Sequence, residues 1–187
     1  ALGGSNVLWF AELSNLNNLV FSDNILNGSS GSEVAIGTDF RNDGPFLNSP
    51  AKSITTVTVS GNTFSNWGSR ALRLGKVGLG TVTEVTVSNN KFLIGSQTTT
   101  LTNTEDSLVN AESNYWGSPT GPVASTIVGN VDYRPWYTTS SLNNLDTTAP
   151  IPVIISTAGS LTKTSPIPFS VNFGEGMNDF ELGDITV

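Results

Sequence analysis

The chain has 187 residues, enough for one large domain or two small ones, and sets 8 Lys and Arg against 15 Asp and Glu for a net charge of −7. That acidity, with no basic stripe between aromatics, argues against a nucleic-acid partner. The lack of any His or Cys removes imidazole bases, thiolates, disulfides and the usual zinc and iron ligands.

Only 12% of residues are charged, and the 20 Asn residues, with many Ser and Thr, supply an uncharged hydrogen-bonding surface instead. Runs of about 18 apolar residues are absent, so the chain is not expected to be membrane-embedded. Gly, Pro, Asn and β-branched residues interrupt every stretch that could hold a helical period. The expected fold class is all-β.

The opening GGSNVLWFAEL reads as the second half of a strand unit whose first half is missing, and it carries no signal-peptide pattern. LVFSDNIL (19–26) then introduces a pattern that returns as VTVSGNTF (57–64), VTVSNNKF (85–92) and VNAESNYW (109–116). Each copy places apolar side chains at its first and third positions, two small or polar residues, an Asn, any residue, and a last apolar one. The Asn residues are Asn24, Asn62, Asn90 and Asn114, and the last positions are Leu26, Phe64, Phe92 and Trp116. Spacing between copies varies while the frame stays fixed, which predicts loops of variable length between strands of constant geometry. A second strand is expected after each bend, in EVAIG (33–37), RALRLG (70–75) and TTTLT (98–102).

Two inward apolar residues build no core alone, but stacked copies bury them in continuous columns. Strands about 4.8 Å apart set like above like. The recurring Asn is then expected to take a left-handed backbone at the bend and to bond its amide to the copies on either side. Four hairpin strands of a sandwich are the alternative, and they give no reason for Asn to recur in one frame. An ice-binding array is not supported, because Thr-x-Thr at 56–58 and 81–83 makes no flat regular lattice.

The closing segment SNYWGSPTGP, followed by GNVDYRPWYT (129–138), resembles the end of right-handed parallel β-helix (β-solenoid) proteins of bacterial surfaces, the pectate-lyase-like superfamily in the broad sense. On that resemblance residues 1–138 form a parallel β-helix truncated at its N-terminal end. Trp116 ends the stack, GSPTGP releases the chain, and VDYRPWY folds back as a cap. Residues 139–148 read as a polar linker. Residues 149–187 resemble the first strands of a bacterial immunoglobulin-like β-sandwich, incomplete because such a domain needs roughly 100 residues.

Chemistry would fall to carboxylates and cations. The candidate ligand-binding residues are Asp39, Arg41 and Asp43 in GTDFRNDGP, with Arg70, Arg73 and Lys76 in SRALRLGK. The β-helix resemblance implies a polysaccharide site, either a lyase working through Ca²⁺ and a basic residue or a glycosidase with paired acids. The residues after successive strands do not repeat the acid cluster that either needs, so surface ion pairs fit better. Ca²⁺ at Glu105 and Asp106 is conceivable, but two adjacent acids supply too few ligands. No other cofactor is expected. Trp9, Trp67 and Trp136 would stack on sugars if exposed. The function expected is a structural or adhesive module of a large secreted or cell-surface bacterial protein, whose partner is a surface polysaccharide or another surface- or secretion-associated protein. A polysaccharide-active enzyme or a carbohydrate-binding module is the alternative.

Overall fold

The computed structural model describes residues 8–10, 15–28, 34–36, 53–68, 70–75, 81–93, 99–149, 151–158, 163 and 165–173. The chain enters with β1 (Leu8–Phe10), β2 (Leu16–Ser22) and β3 (Ile25–Asn27), then β4 (Val34–Ile36), β5 (Ser53–Ser60) and β6 (Thr63–Ser65). It continues through β7 (Arg70–Leu74), β8 (Thr81–Val82), β9 (Val85–Ser88), β10 (Lys91–Phe92), β11 (Thr99–Asn103) and β12 (Val109–Asn110). After a short 3₁₀ helix at Ala124–Thr126 come β13 (Ile127–Val128) and β14 (Val131–Asp132), and later β15 (Val153–Ser156) and β16 (Phe169–Asn172).

The fold is all-β and largely parallel. One sheet is ordered β1-β4-β7-β11-β13, a second β14-β12-β9-β5-β2 with β8 beside β5, and a third β10-β6-β3. The chain visits these sheets in the same cyclic order, so neighbouring strands within a sheet come from successive circuits. Pairing is in register throughout: Val57 faces Leu19 and Val85, Val59 faces Phe21 and Val87, and Phe64 faces Leu26 and Phe92. Among the described residues no helix is long and apolar enough to cross a membrane.

Alternation along each strand sends one set of side chains inward. Ile54, Val57, Val59, Phe64, Leu72, Leu74, Val82, Val87, Phe92 and Leu101 are each at most 2% exposed. One break in the alternation recurs. Leu16, Ile54 and Val82 point inward, and so do Leu19, Val57 and Val85 three residues later. The odd spacing works because Asn18, Thr56 and Glu84, stacked between them, all take positive φ, at 60°, 55° and 53°. Two cross-circuit bonds hold this bulge, Val57 N–H to the Glu84 carbonyl and Thr83 N–H to the Ile54 carbonyl, each at 3.0 Å. Thr and Glu have no leaning toward left-handed backbone. The stack imposes it.

Asn24, Asn62, Asn90 and Asn114 form the expected ladder. Each of the first three donates from Nδ2 to the Oδ1 of the next at 3.0 Å, and their backbone N–H groups reach the same oxygens at 2.9–3.0 Å. The Nδ2 groups also reach carbonyls of their own turn and of the preceding circuit, as Asn90 does with Ser88 and Val59. Asn62, Asn90 and Asn114 are fully buried, a state that polar groups tolerate only when satisfied in this way. The left-handed residue, however, is not the Asn. It is the residue before it: Asp23, Gly61, Asn89 and Ser113, with φ between 55° and 68°. The division is physical, since the preceding residue turns the chain and leaves the Asn amide free to point along the stack.

Beside the ladder run the aromatics. Phe64 and Phe92 stack with ring centroids 4.9 Å apart, and Phe92 and Trp116 at 4.7 Å and 6° between planes. These separations are the strand spacing itself. The expectation that Trp116 closes the stack fails. Trp116 is only 4% exposed, and VDYRPWY does not fold back but runs parallel as a fifth segment, Val131 facing Val109 and Tyr137 N–H bonding to the Asn114 carbonyl at 2.8 Å. That register sets Trp136, fully buried, in the slot the Asn ladder would fill next. The residues that return are 138–146, where Tyr137 bridges Leu145 antiparallel and Asp146 N–H reaches the Trp136 carbonyl at 2.7 Å.

Beyond them, β15 and β16 make a two-stranded antiparallel sheet, Val153 facing Asn172 and Ser156 facing Phe169. Ile151, Val153, Ile154, Ile155, Ile167 and Phe169 are all more than half exposed.

Candidate functional site

Of the six candidate binding residues, Asp39, Arg41, Asp43 and Lys76 lie outside the described residues. Arg70 opens β7, half-buried and in register with Thr99. Arg73, on the outward side of the same strand between Ala35 and Thr102, is 7% exposed and donates from Nη1 to the Gly75 carbonyl at 2.9 Å. Odd spacing predicts that Arg70 and Arg73 face opposite sides, and the register of β7 agrees. Arg73 does not come to rest in solvent, because its face of the sheet is covered: Ala71, Thr100 and Thr102 are also buried. A guanidinium held against its own backbone is positioned for structure rather than for an incoming ligand.

Glu105 packs over the same turn. A Cβ built on Gly75 would meet its carboxylate, so Gly75, at φ 73°, is required by both conformation and space. Glu105 takes its place because the Asn103 side chain accepts its backbone N–H at 3.0 Å while donating to the Ser107 and Asn130 carbonyls. Asn103 thus pins the corner between the first and second sheets, and sequence reading missed it for want of a repeating partner. Asp106 is exposed, and no group of three or more potential metal ligands occurs among the described residues.

The tryptophans whose side chains are described are buried, not displayed. Trp67 donates from Nε1 to the Thr99 carbonyl at 2.9 Å, tying the third sheet to the first. Trp136 donates to the Pro119 carbonyl at 3.3 Å, with the Arg134 guanidinium 4.8 Å above its ring and Gly121 against its face. Trp116 Nε1 is buried without a hydrogen-bond partner, alone in this among the described side-chain atoms. An orphaned donor costs about 1–3 kcal/mol, so flat stacking on Phe92 prevails over satisfying the indole.

The electrostatics are correspondingly quiet. Burial pushes the Tyr133 hydroxyl above its ordinary range; neighbouring Arg134 opposes this and Asp132 adds to it. A shallow recess of about 170 Å³ between Ile155, Thr157, Pro168, Phe169 and Ser170 is smaller than the ~300 Å³ at which small-molecule sites begin. The most regular surface is the outward row Val20, Thr58, Thr86, Asn110 and Asp132 on the second sheet, flanked on the third by Ile25, Thr63, Lys91, Tyr115 and Tyr137. Tyr137 Oη reaches back two circuits to Asn89 Oδ1 at 3.1 Å. Such rows fix side chains at strand spacing on a rigid support; they do not converge carboxylates on a point. Compared with protein-family models, curated proteins and solved structures, the chain matches none.

Proposed function

We propose that this chain is a structural or adhesive module of a large secreted or cell-surface bacterial protein. On this reading residues 1–138 form a right-handed parallel β-helix that presents a rigid surface, residues 139–148 lead out of it, and residues 149–187 begin an immunoglobulin-like unit. The supporting observation is the unbroken Asn24–Asn62–Asn90–Asn114 ladder beside the Phe64–Phe92–Trp116 stack, which joins successive circuits of different length into one column. The cyclic order of parallel strands supports the β-helix, and right-handed crossovers are the rule for parallel connections. Arg73, tied to its own turn, weakens the carbohydrate-active alternative, and nothing among the described residues favours it.

Incubating the chain with acidic and neutral polysaccharides, with and without Ca²⁺, and assaying for new reducing ends or unsaturated products tests the proposal. No turnover is expected. Turnover that survives purification of the chain to homogeneity overturns it.

A further inference from the structure

None of the eleven residues from Thr138 to Thr148 is buried, and all but Thr138, Leu142 and Asp146 are exposed. They are nevertheless folded, by bonds that run back along segment 134–137. Thr138 N–H donates to the Asn144 carbonyl at 2.8 Å, Asp146 N–H to the Trp136 carbonyl at 2.7 Å, and Arg134 Nη2 to the Thr148 carbonyl at 3.2 Å. Within the turn, Thr139 Oγ1 and Ser141 Oγ both donate to Asn143 Oδ1 at 2.9 Å. The segment they hold to is of the opposite kind, with Val131, Tyr133 and Trp136 all buried. Hydrogen bonds made by water-exposed residues, with little apolar burial behind them, belong to the low end of local stability.

We infer that residues 138–148 are a releasable strap, which detaches from segment 134–137 and pays out slack while the Asn ladder stays intact. Load that reaches the chain from beyond Ala149 meets the Thr148 carbonyl first, then the Asp146 N–H, then the Thr138–Asn144 pair. Behind them Tyr137 N–H holds to the Asn114 carbonyl at 2.8 Å, and Asn114 Oδ1 accepts from Asn90 in the ladder. Release therefore stops where the buried column begins. Full release frees eleven residues, about 35 Å of extended chain. An adhesive module so equipped yields a set length before its rigid part is loaded. The source of the load belongs to the proposed adhesive role, whereas opening of the strap is measured without it, so either can fail alone.

Hydrogen exchange and single-molecule extension of the full chain test it. The Thr138 and Asp146 amides should exchange faster than those of Asn62 and Asn90 by about a hundredfold or more. For the second arm, Tyr137 and Leu145 face each other as a non-hydrogen-bonded antiparallel pair, because the bonds from Thr138 and Asp146 flank them. Such pairs set their Cα atoms about 4.5 Å apart, within disulfide reach, and the chain has no Cys of its own. In the double variant Tyr137→Cys, Leu145→Cys, oxidation closes the strap there and withholds residues 138–145. Pulled by its two ends, the oxidised chain should extend about 25 Å less than the reduced one before the three-sheet body unfolds, and reduction should restore the difference. Exchange at Thr138 and Asp146 as slow as in the ladder overturns the inference, as does equal early extension of the oxidised and reduced chains.

Discussion

Val57 and Val59 in β5 and Val153, Ile154 and Ile155 in β15 are β-branched residues of the same type in strands of similar composition. The first two are at most 1% exposed, whereas the other three are exposed by 54% or more. The difference does not lie in the strands. β5 has β2 on one edge and β8 and β9 on the other, and its inward side chains belong to the buried core. Among the described residues β15 pairs with β16 alone, and two-stranded sheets are marginal in water. Strand propensity is therefore nearly silent about stability here, and position in a stack decides it.

The sharpest way to break the contrast is to hollow the column. Phe92→Ala removes a fully buried ring from between Phe64 and Trp116, and it should cost about 3–5 kcal/mol. Urea unfolding followed by tryptophan fluorescence reads this as a lower midpoint with an unchanged slope. The ladder offers a graded version. Asn90→Ala withdraws the oxygen that accepts two Asn62 donors and the amide that serves the Val59 and Ser88 carbonyls. It should cost about 3 kcal/mol, whereas Asn24→Ala, half-buried at the first of the four positions, should cost about 1 kcal/mol. Equal losses at the two sites would mean that burial does not set the ladder's worth. The hairpin supplies the smallest effect: Ile154→Thr, on an exposed strand, should change the unfolding free energy of the three-sheet body, read from the same urea titration, by less than about 0.5 kcal/mol.

Much of the fold was legible because the stack forces like residues into like places. The frame of Asn24, Asn62, Asn90 and Asn114 foretold the ladder, the in-register apolar columns and the stack from Leu26 to Trp116. What could not be read had no residue signature. The bulge shared by Asn18, Thr56 and Glu84 is imposed by neighbouring strands, and its three side chains share only their polarity, through which Thr56 donates to Glu84 at 2.6 Å. The fifth segment reads in the sequence as a cap that folds back, because Trp136 stands where the pattern calls for Asn. The return at 138–146 is polar, as linkers are, and only its bonds to Trp136 and Tyr137 distinguish it. The candidate site fared differently. Arg70 and Arg73 were placed correctly on opposite faces of one strand, but sequence gave no warning that the outward face would be covered and Arg73 turned against Gly75.

Successive ladder partners lie 38, 28 and 24 residues apart, yet their hydrogen bonds are the same length within 0.1 Å. Because lengthening a loop costs only a few tenths of a kcal/mol for such differences, the corners of each circuit are decoupled from the columns they connect. A lineage carrying this architecture can lengthen, shorten or rewrite a corner, ten residues or so at a time, without renegotiating the core. The length of the rim and the packing of the axis are, for this chain, set separately.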